Sequence, residues 1–204
     1  MVAEARVTVA VDPGPVESAY VVYDGNVIEA GREQNAAVLE FVRGAAAFEP
    51  ARLVVEKIAS YGMPVGEETF QTCVWTGRLV QRWADERFRV GFDPQWHEIT
   101  RLRVKLALCH HPHAKDSNVR QALLDRFGGK SRAIGSKKAR GPLYALSGDM
   151  WAALAVAVAW NDINGGGLEM LRVNSVPEGQ PEAPRECELS RAVGAKTQRE
   201  NPVG

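Results

Sequence analysis

The chain has no membrane-length apolar run, no paired cysteines, no internal repeat and no net charge. A bilayer-spanning helix needs about 20 consecutive apolar residues, and no stretch approaches that length. The N-terminus reads as a strand rather than as a basic start followed by an apolar segment, so no secretory signal is expected. Cys73, Cys109 and Cys187 are odd in number and far apart, which argues against a disulfide framework and for a reducing, cytoplasmic setting. Zero net charge argues at first against a polyanionic partner. The distribution reverses that reading. Residues 1–96 carry a net −5, residues 97–142 a net +8 and residues 143–204 a net −3. A basic block beside acidic flanks suits a polyanion held by its backbone; a solvated surface without a partner would look the same.

What is present fits one domain of mixed α/β type. The 204 residues are 45% hydrophobic, enough for a sizeable core. Residues 5–12 read as a strand apolar on both faces, hence central in a sheet. Pro13-Gly14-Pro15 forces a turn. Strands follow at Ser18–Tyr23 and Val27–Ala30, joined by the hairpin signal Asp24-Gly25-Asn26. The pattern then predicts a helix over 34–47, a strand over 51–56 and a long helix over 67–87. On the long helix, Phe70, Cys73, Val74, Gly77, Val80 and Trp83 recur near the helical period. A strand over 94–100 and helices over 101–109, 118–127 (capped by Ser117 and ended by Gly128-Gly129) and 147–162 complete the domain. This predicts a mixed sheet with helices on both faces over residues 1–164. Residues 165–204 lose apolar periodicity and read as a disordered tail.

Three carboxylates stand at the ends of regular elements. Asp12 ends Val7-Thr8-Val9-Ala10-Val11, Glu56 ends Leu53-Val54-Val55, and Asp149 opens Met150-Trp151-Ala152-Ala153-Leu154-Ala155. Singly, each has an ordinary role: an Asx-type turn for Asp12, an ion pair for Glu56, a helix-dipole partner for Asp149. Lys57 is a poor partner for Glu56, because successive strand residues point to opposite faces. If the three elements are neighbours, the acids converge, and the natural offset to their repulsion is a hard divalent cation bound through oxygen.

Other motifs carry less. Gly129-Lys130-Ser131 is not a P-loop, because Leu124 stands where the motif needs glycine. Cys109-His110-His111-Pro112-His113 lacks the second ligand pair of a zinc site, and its histidines read as loop residues or as packing. Residues 128–140, with Lys130, Arg132, Lys137, Lys138 and Arg140, read as a mobile basic loop that either contacts phosphate or is only solvated. Tyr61 is a candidate for stacking on a base, or simply packs beneath its loop.

Taken in order, Val9-Ala10-Val11-Asp12-Pro13-Gly14, Val54-Val55-Glu56, Lys115-Asp116-Ser117-Asn118-Val119 and Asp149-Met150-Trp151-Ala152-Ala153-Leu154-Ala155 resemble the RuvC-like Holliday junction resolvases of the ribonuclease H-like superfamily. The resemblance is strongest to phage-type members and covers residues 5–162. It implies a ribonuclease H-like fold and a metal-dependent endonuclease acting on branched DNA, most of all four-way junctions. It further implies two magnesium ions per site, with manganese as a substitute, held by Asp12, Glu56 and Asp149. Lys105, Lys115 and Arg120, with the basic loop and Tyr61, would contact DNA. A two-fold homodimer follows, since two symmetric strands need two sites; Val74, Trp75, Gly77 and Leu79 on the long helix are candidates for its interface. The sequence departs from the family at Ala152, where a second acid usually follows the first by three residues. Glu17, Asp116, Glu67 and Glu68 are possible replacements. That departure keeps open a non-catalytic DNA-binding relative of the same fold. A more distant alternative, an actin-like ATP-binding protein, also begins with a strand ending in Asp and a Gly turn.

Overall fold

The computed structural model describes residues 7–60, 62 and 64–165, which belong to one compact unit. Tyr61, Cys187 and the tail after Gly165 lie outside the described residues, so the expectations for them have no structural counterpart here.

One five-stranded sheet has the order β3-β2-β1-β4-β5. It comprises β1 (Val7–Asp12), β2 (Glu17–Tyr23), β3 (Val27–Gln34), β4 (Ala51–Lys57) and β5 (His97–Thr100). The first three form an antiparallel meander, whereas β4 lies parallel to β1 and β5 parallel to β4. Central β1 and β4 are covered on both faces, which explains their continuous apolar runs. Side chains alternate. Val9, Val11, Leu53 and Val55 face α1 (Asn35–Ala46) and α2 (Glu67–Arg89). Ala10, Val54, Ala19, Val21 and Ile99 face the opposite helices, α3 (Arg101–Cys109), α4 (Asp116–Arg126) and α6 (Met150–Gly165). Residues 153–159 of α6 are all buried, because the helix is enclosed by the sheet on one side and by α3 and α4 on the other. Each fully buried Leu or Val contributes about 1.5–3 kcal/mol relative to exposure.

Five expectations are corrected. Strand β3 runs eight residues rather than four, because an edge strand tolerates polar residues on its open side while β2 pairs along its whole length. On α2 the buried residues are Thr72, Leu79, Trp83, Glu86 and Arg87. Phe70 and Val74 are 61% and 56% exposed, so the apolar stripe read from sequence is largely not the core face. Leu79 packs in the protein's own core and is withdrawn from the interface candidates. Helix α4 starts two residues early, with Lys115 at its N-cap and Asn118 Oδ1 accepting from the Lys115 N–H at 2.9 Å. Finally, residues 128–140 are structured. Helix α5 (Lys130–Ala133) is followed by a bridge between Gly135 and Arg140 that closes a tight turn over Lys137-Lys138. Gly135 has φ +70°, and a Cβ there would lie 2.2 Å from the Ala139 carbonyl, so the turn requires glycine.

Candidate active site

Strand parity and register build the site. Ala10 lies beside Val54 in the parallel pairing of β1 and β4. Two residues further along each strand, Asp12 and Glu56 come side by side on the same face. Glu56 lies beside Ile99 in β5, and Arg101 follows two residues later as the first residue of α3. Asp149 directly precedes α6, and its carbonyl accepts from the Ala152 and Ala153 N–H groups. The acids therefore gather at the carboxyl ends of the parallel strands, where open α/β sheets place their clefts.

The Asp-Pro-Gly turn is held by a buried network that the sequence did not reveal. Asn35, the first residue of α1, donates from Nδ2 to the Gly14 carbonyl at 3.0 Å and accepts from the Ser18 hydroxyl at 2.6 Å. Ser18 in turn accepts from the Gly14 N–H at 3.2 Å. A Cβ on Gly14 would sit 2.3 Å from the Glu17 carbonyl, so the turn admits only glycine. These contacts fix the backbone two residues beyond Asp12.

The acids oppose one another's ionisation. Burial, followed by the charge of Glu56, raises the Asp12 carboxyl from 3.8 to about 7; Asp149 and Asp116 add to the rise, while Arg101 opposes it. Burial also raises Glu56, against the pull of Arg101 and Lys105. Asp116, at the start of α4, thus joins the group, as one of the replacements considered for the acid missing at Ala152. Glu17 reaches only its outer edge, through Arg32. Glu67 and Glu68 are exposed in the first turn of α2.

Two arginines that sequence reading passed over hold the outer acids. Arg101 Nη1 donates to Glu56 Oε2 at 3.2 Å, and its Nη2 to Asp116 Oδ1 at 2.8 Å. Arg32 on β3 pairs with Asp149 at 3.4 Å and with Glu17 at 3.1 Å. Lys57 pairs with Glu98 at 3.0 Å, consistent with its turning away from Glu56. Among the described residues no three Asp, Glu, His or Cys side chains stand close enough for a single ion. The all-oxygen donor set and the concentrated negative charge suit a hard divalent cation. The present spacing is that of acids held partly by arginines.

The basic residues line up on neighbouring elements. Lys105 on α3 is half-buried near Glu56. Lys115 is exposed at the start of α4, and Arg120 lies over the Trp151 ring at 4.5 Å. Lys130, Arg132, Lys137 and Lys138 are exposed, while Arg140 lies over the Tyr144 ring at 5.0 Å. From this turn the chain runs directly to Asp149. His110, His111 and His113 are exposed, and His111 Nδ1 accepts from the His113 N–H at 3.2 Å, a local turn contact.

The architecture is an α/β fold of the ribonuclease H-like kind, with an acidic cleft at the ends of its parallel strands. It is RuvC-like in particular. The chain is similar to the Thermus thermophilus RuvC structure at 16% identity and a TM-score of 0.52, covering 76% of this chain and 93% of that one. It is also similar to T. thermophilus RuvC in complex with Holliday junction substrate, at 18% identity and a TM-score of 0.50, covering 75% and 91%. No protein-family model matches the chain, and no curated protein does. Among the described residues no helix is long and apolar enough to cross a membrane.

Proposed function

We propose that this protein is a divalent-metal-dependent endonuclease acting on branched DNA, most specifically a Holliday junction resolvase of phage-type kinship, working in recombination, repair or phage DNA processing. The observation that carries the reading is the side-by-side placement of Asp12 and Glu56 at the ends of β1 and β4, where burial and then the charge of Glu56 raise the Asp12 carboxyl to about 7 with Asp149 and Asp116 adding to the rise, in a RuvC-like fold. Asp12, Glu56 and Asp149, with Asp116 in place of the acid missing at Ala152, would hold the two magnesium or manganese ions. Bound ions would supply Lewis-acid activation of water and charge neutralisation at the phosphodiester. The chain's own residues do the rest. The strands fix the two central carboxylates, and the Asn35–Gly14–Ser18 network keeps Asp12 oriented. Lys105, Lys115, Arg120 and the arm carrying Lys130 to Arg140 would grip phosphates without reading bases. Two such sites related by two-fold symmetry would address the two strands of a four-way junction.

The deciding experiment is incubation of a synthetic four-way junction with the protein, with and without Mg²⁺, beside the Asp12→Asn variant. Paired nicks that require Mg²⁺ and vanish in the variant are expected. Equal cleavage by variant and wild type would remove Asp12 from the chemistry. Tight junction binding without cleavage under any divalent ion would support a second reading, a non-cleaving junction-binding relative. Ala152 and the two arginine-held carboxylate pairs favour that reading.

A further inference from the structure

Arg101 occupies an unusual place for a cation. It is the first residue of α3, where the exposed N–H groups of the helix already carry partial positive charge and a guanidinium is disfavoured. The Thr100 hydroxyl caps this end by accepting from the Arg103 N–H at 3.3 Å, so the arginine serves no capping purpose. What holds it there is the acidic cleft. Its two Nη atoms are divided between two carboxylates from different elements, one bond each, to Glu56 at the end of β4 and Asp116 at the start of α4. The Arg101 side chain is 25% exposed and Glu56 15%, while Asp116 is 75% exposed. The guanidinium therefore bridges from the closed interior of the cleft to its open rim.

A permanent structural bridge would be expected to use the fork of the guanidinium on one carboxylate, the stronger geometry. The divided arrangement instead leaves each bond replaceable. Glu56 has the same two roles to fill in sequence: a partner for its charge when no ion is bound, and a donor when one is. It cannot serve a guanidinium and a divalent ion equally at once.

Resting on the reading of the cleft as a metal-dependent nuclease site, we propose that Arg101 is an exchangeable internal cation: it holds Glu56 and Asp116 in the ion-free protein, yields both carboxylates to the incoming divalent ions, and then offers its guanidinium to a DNA phosphate at the rim. It is a positioning residue in the first state and a phosphate ligand in the second. The released guanidinium has five donors in a planar fork, a geometry suited to a phosphate.

The test uses the full chain without DNA first. Mn²⁺ binding is measured by calorimetry for wild type, Arg101→Gln, Arg101→Met and Arg101→Lys, with circular dichroism melts confirming that each is folded. Removing the resident charge is expected to tighten Mn²⁺ binding about tenfold in the Gln and Met variants, and Lys is expected to stay within about threefold of wild type. Junction binding is then measured in Ca²⁺. The Gln variant is expected to bind several-fold more weakly, with its log–log salt slope reduced by about 0.9, the equivalent of one phosphate contact. Unchanged or weaker Mn²⁺ affinity in the Gln and Met variants overturns the exchange, as does an unchanged salt slope. Should these variants fail to fold, the arginine Nε–H signal of Arg101 in wild type is followed during a Mg²⁺ titration; a signal that does not move overturns the proposal, and one that moves to saturation supports it. Absence of ion binding by all proteins, wild type included, overturns both the exchange and the metal-dependent reading. A wild type that binds Mn²⁺ and cuts no junction overturns the nuclease reading alone.

Discussion

Asp12 carries the largest electrostatic strain among the acids of the cleft, and its consequences can be measured without DNA. The folded protein holds the Asp12 proton more tightly than the unfolded chain does, because burial and three other carboxylates oppose its ionisation. That contribution to stability is present below the ordinary aspartate range and is lost as pH rises from about 4 to about 7. A shift of this size corresponds to about 4 kcal/mol, which screening at a partly exposed cleft reduces to about 2. The Asp12→Asn variant should therefore unfold at higher denaturant than wild type at pH 8 in EDTA, and the gap should close toward pH 4. Parallel denaturation curves at both pH values would show that Asp12 is not strained. The same proton competes with metal, so Mg²⁺ binding and cleavage should rise together between pH 6 and 8. Asn35 offers a second test at this scale. Asn35→Ala leaves the Gly14 carbonyl and the buried Ser18 hydroxyl without their partner and should cost about 1–3 kcal/mol. It should lower cleavage by loosening the turn after Asp12, while junction binding, which the proposed reading assigns to basic residues on α3, α4 and the arm, changes little.

At the scale of elements, sequence reading anticipated where an acid lies in the fold wherever a single strand or helix positioned it. Asp12, Glu56 and Asp149 each follow or precede an apolar run, and the alternation rule already put Lys57 on the wrong side to neutralise Glu56. Arg101 and Arg32 were not legible. Their roles depend on β5 ending beside Glu56 and on β3 extending past Ala30, and both are facts of pairing between distant segments. Likewise Asn35 looks like an ordinary helix-start residue until β2 brings Ser18 beneath it. The stripe on α2 misled because a helix can place apolar residues on a face its own core does not use. The basic arm was read as a mobile loop because tight packing around Gly135 leaves no periodic trace. Its ordered turn sharpens the expectation for DNA binding. Changing Lys137 and Lys138 together to alanine should lower the log–log salt slope of junction binding by about 1.8, equally for unrelated sequences. An unchanged slope in a salt titration would assign the arm to solvent and leave Lys105, Lys115 and Arg120 as the phosphate contacts.

For the whole molecule, the exposed apolar residues of α2 bear on assembly. Phe70, Val74 and the open backbone at Gly77 share a stretch of surface that the core leaves uncovered. If this stretch supports the proposed two-fold dimer, Val74→Glu should convert the protein to monomers in sedimentation velocity with little change in melting temperature. Junction cleavage would then yield single rather than paired nicks. A dimer that survives the change would place the interface elsewhere, and a monomeric wild type would end the two-site reading.

The parallel pairing of β1 with β4 has a further consequence, for the order in which the protein is made. The meander of β1, β2 and β3 is local and can close early, but Asp12 meets Glu56 only after β4 has crossed to the far side of β1. Asp149 arrives later still, at the head of a helix whose burial requires the sheet, α3 and α4 to be in place. The acidic cleft therefore cannot exist in a partly synthesised chain. Its set of acids is completed only when α6 packs, so an unfinished polypeptide on the ribosome carries the strands of the cleft without Asp149 beside them.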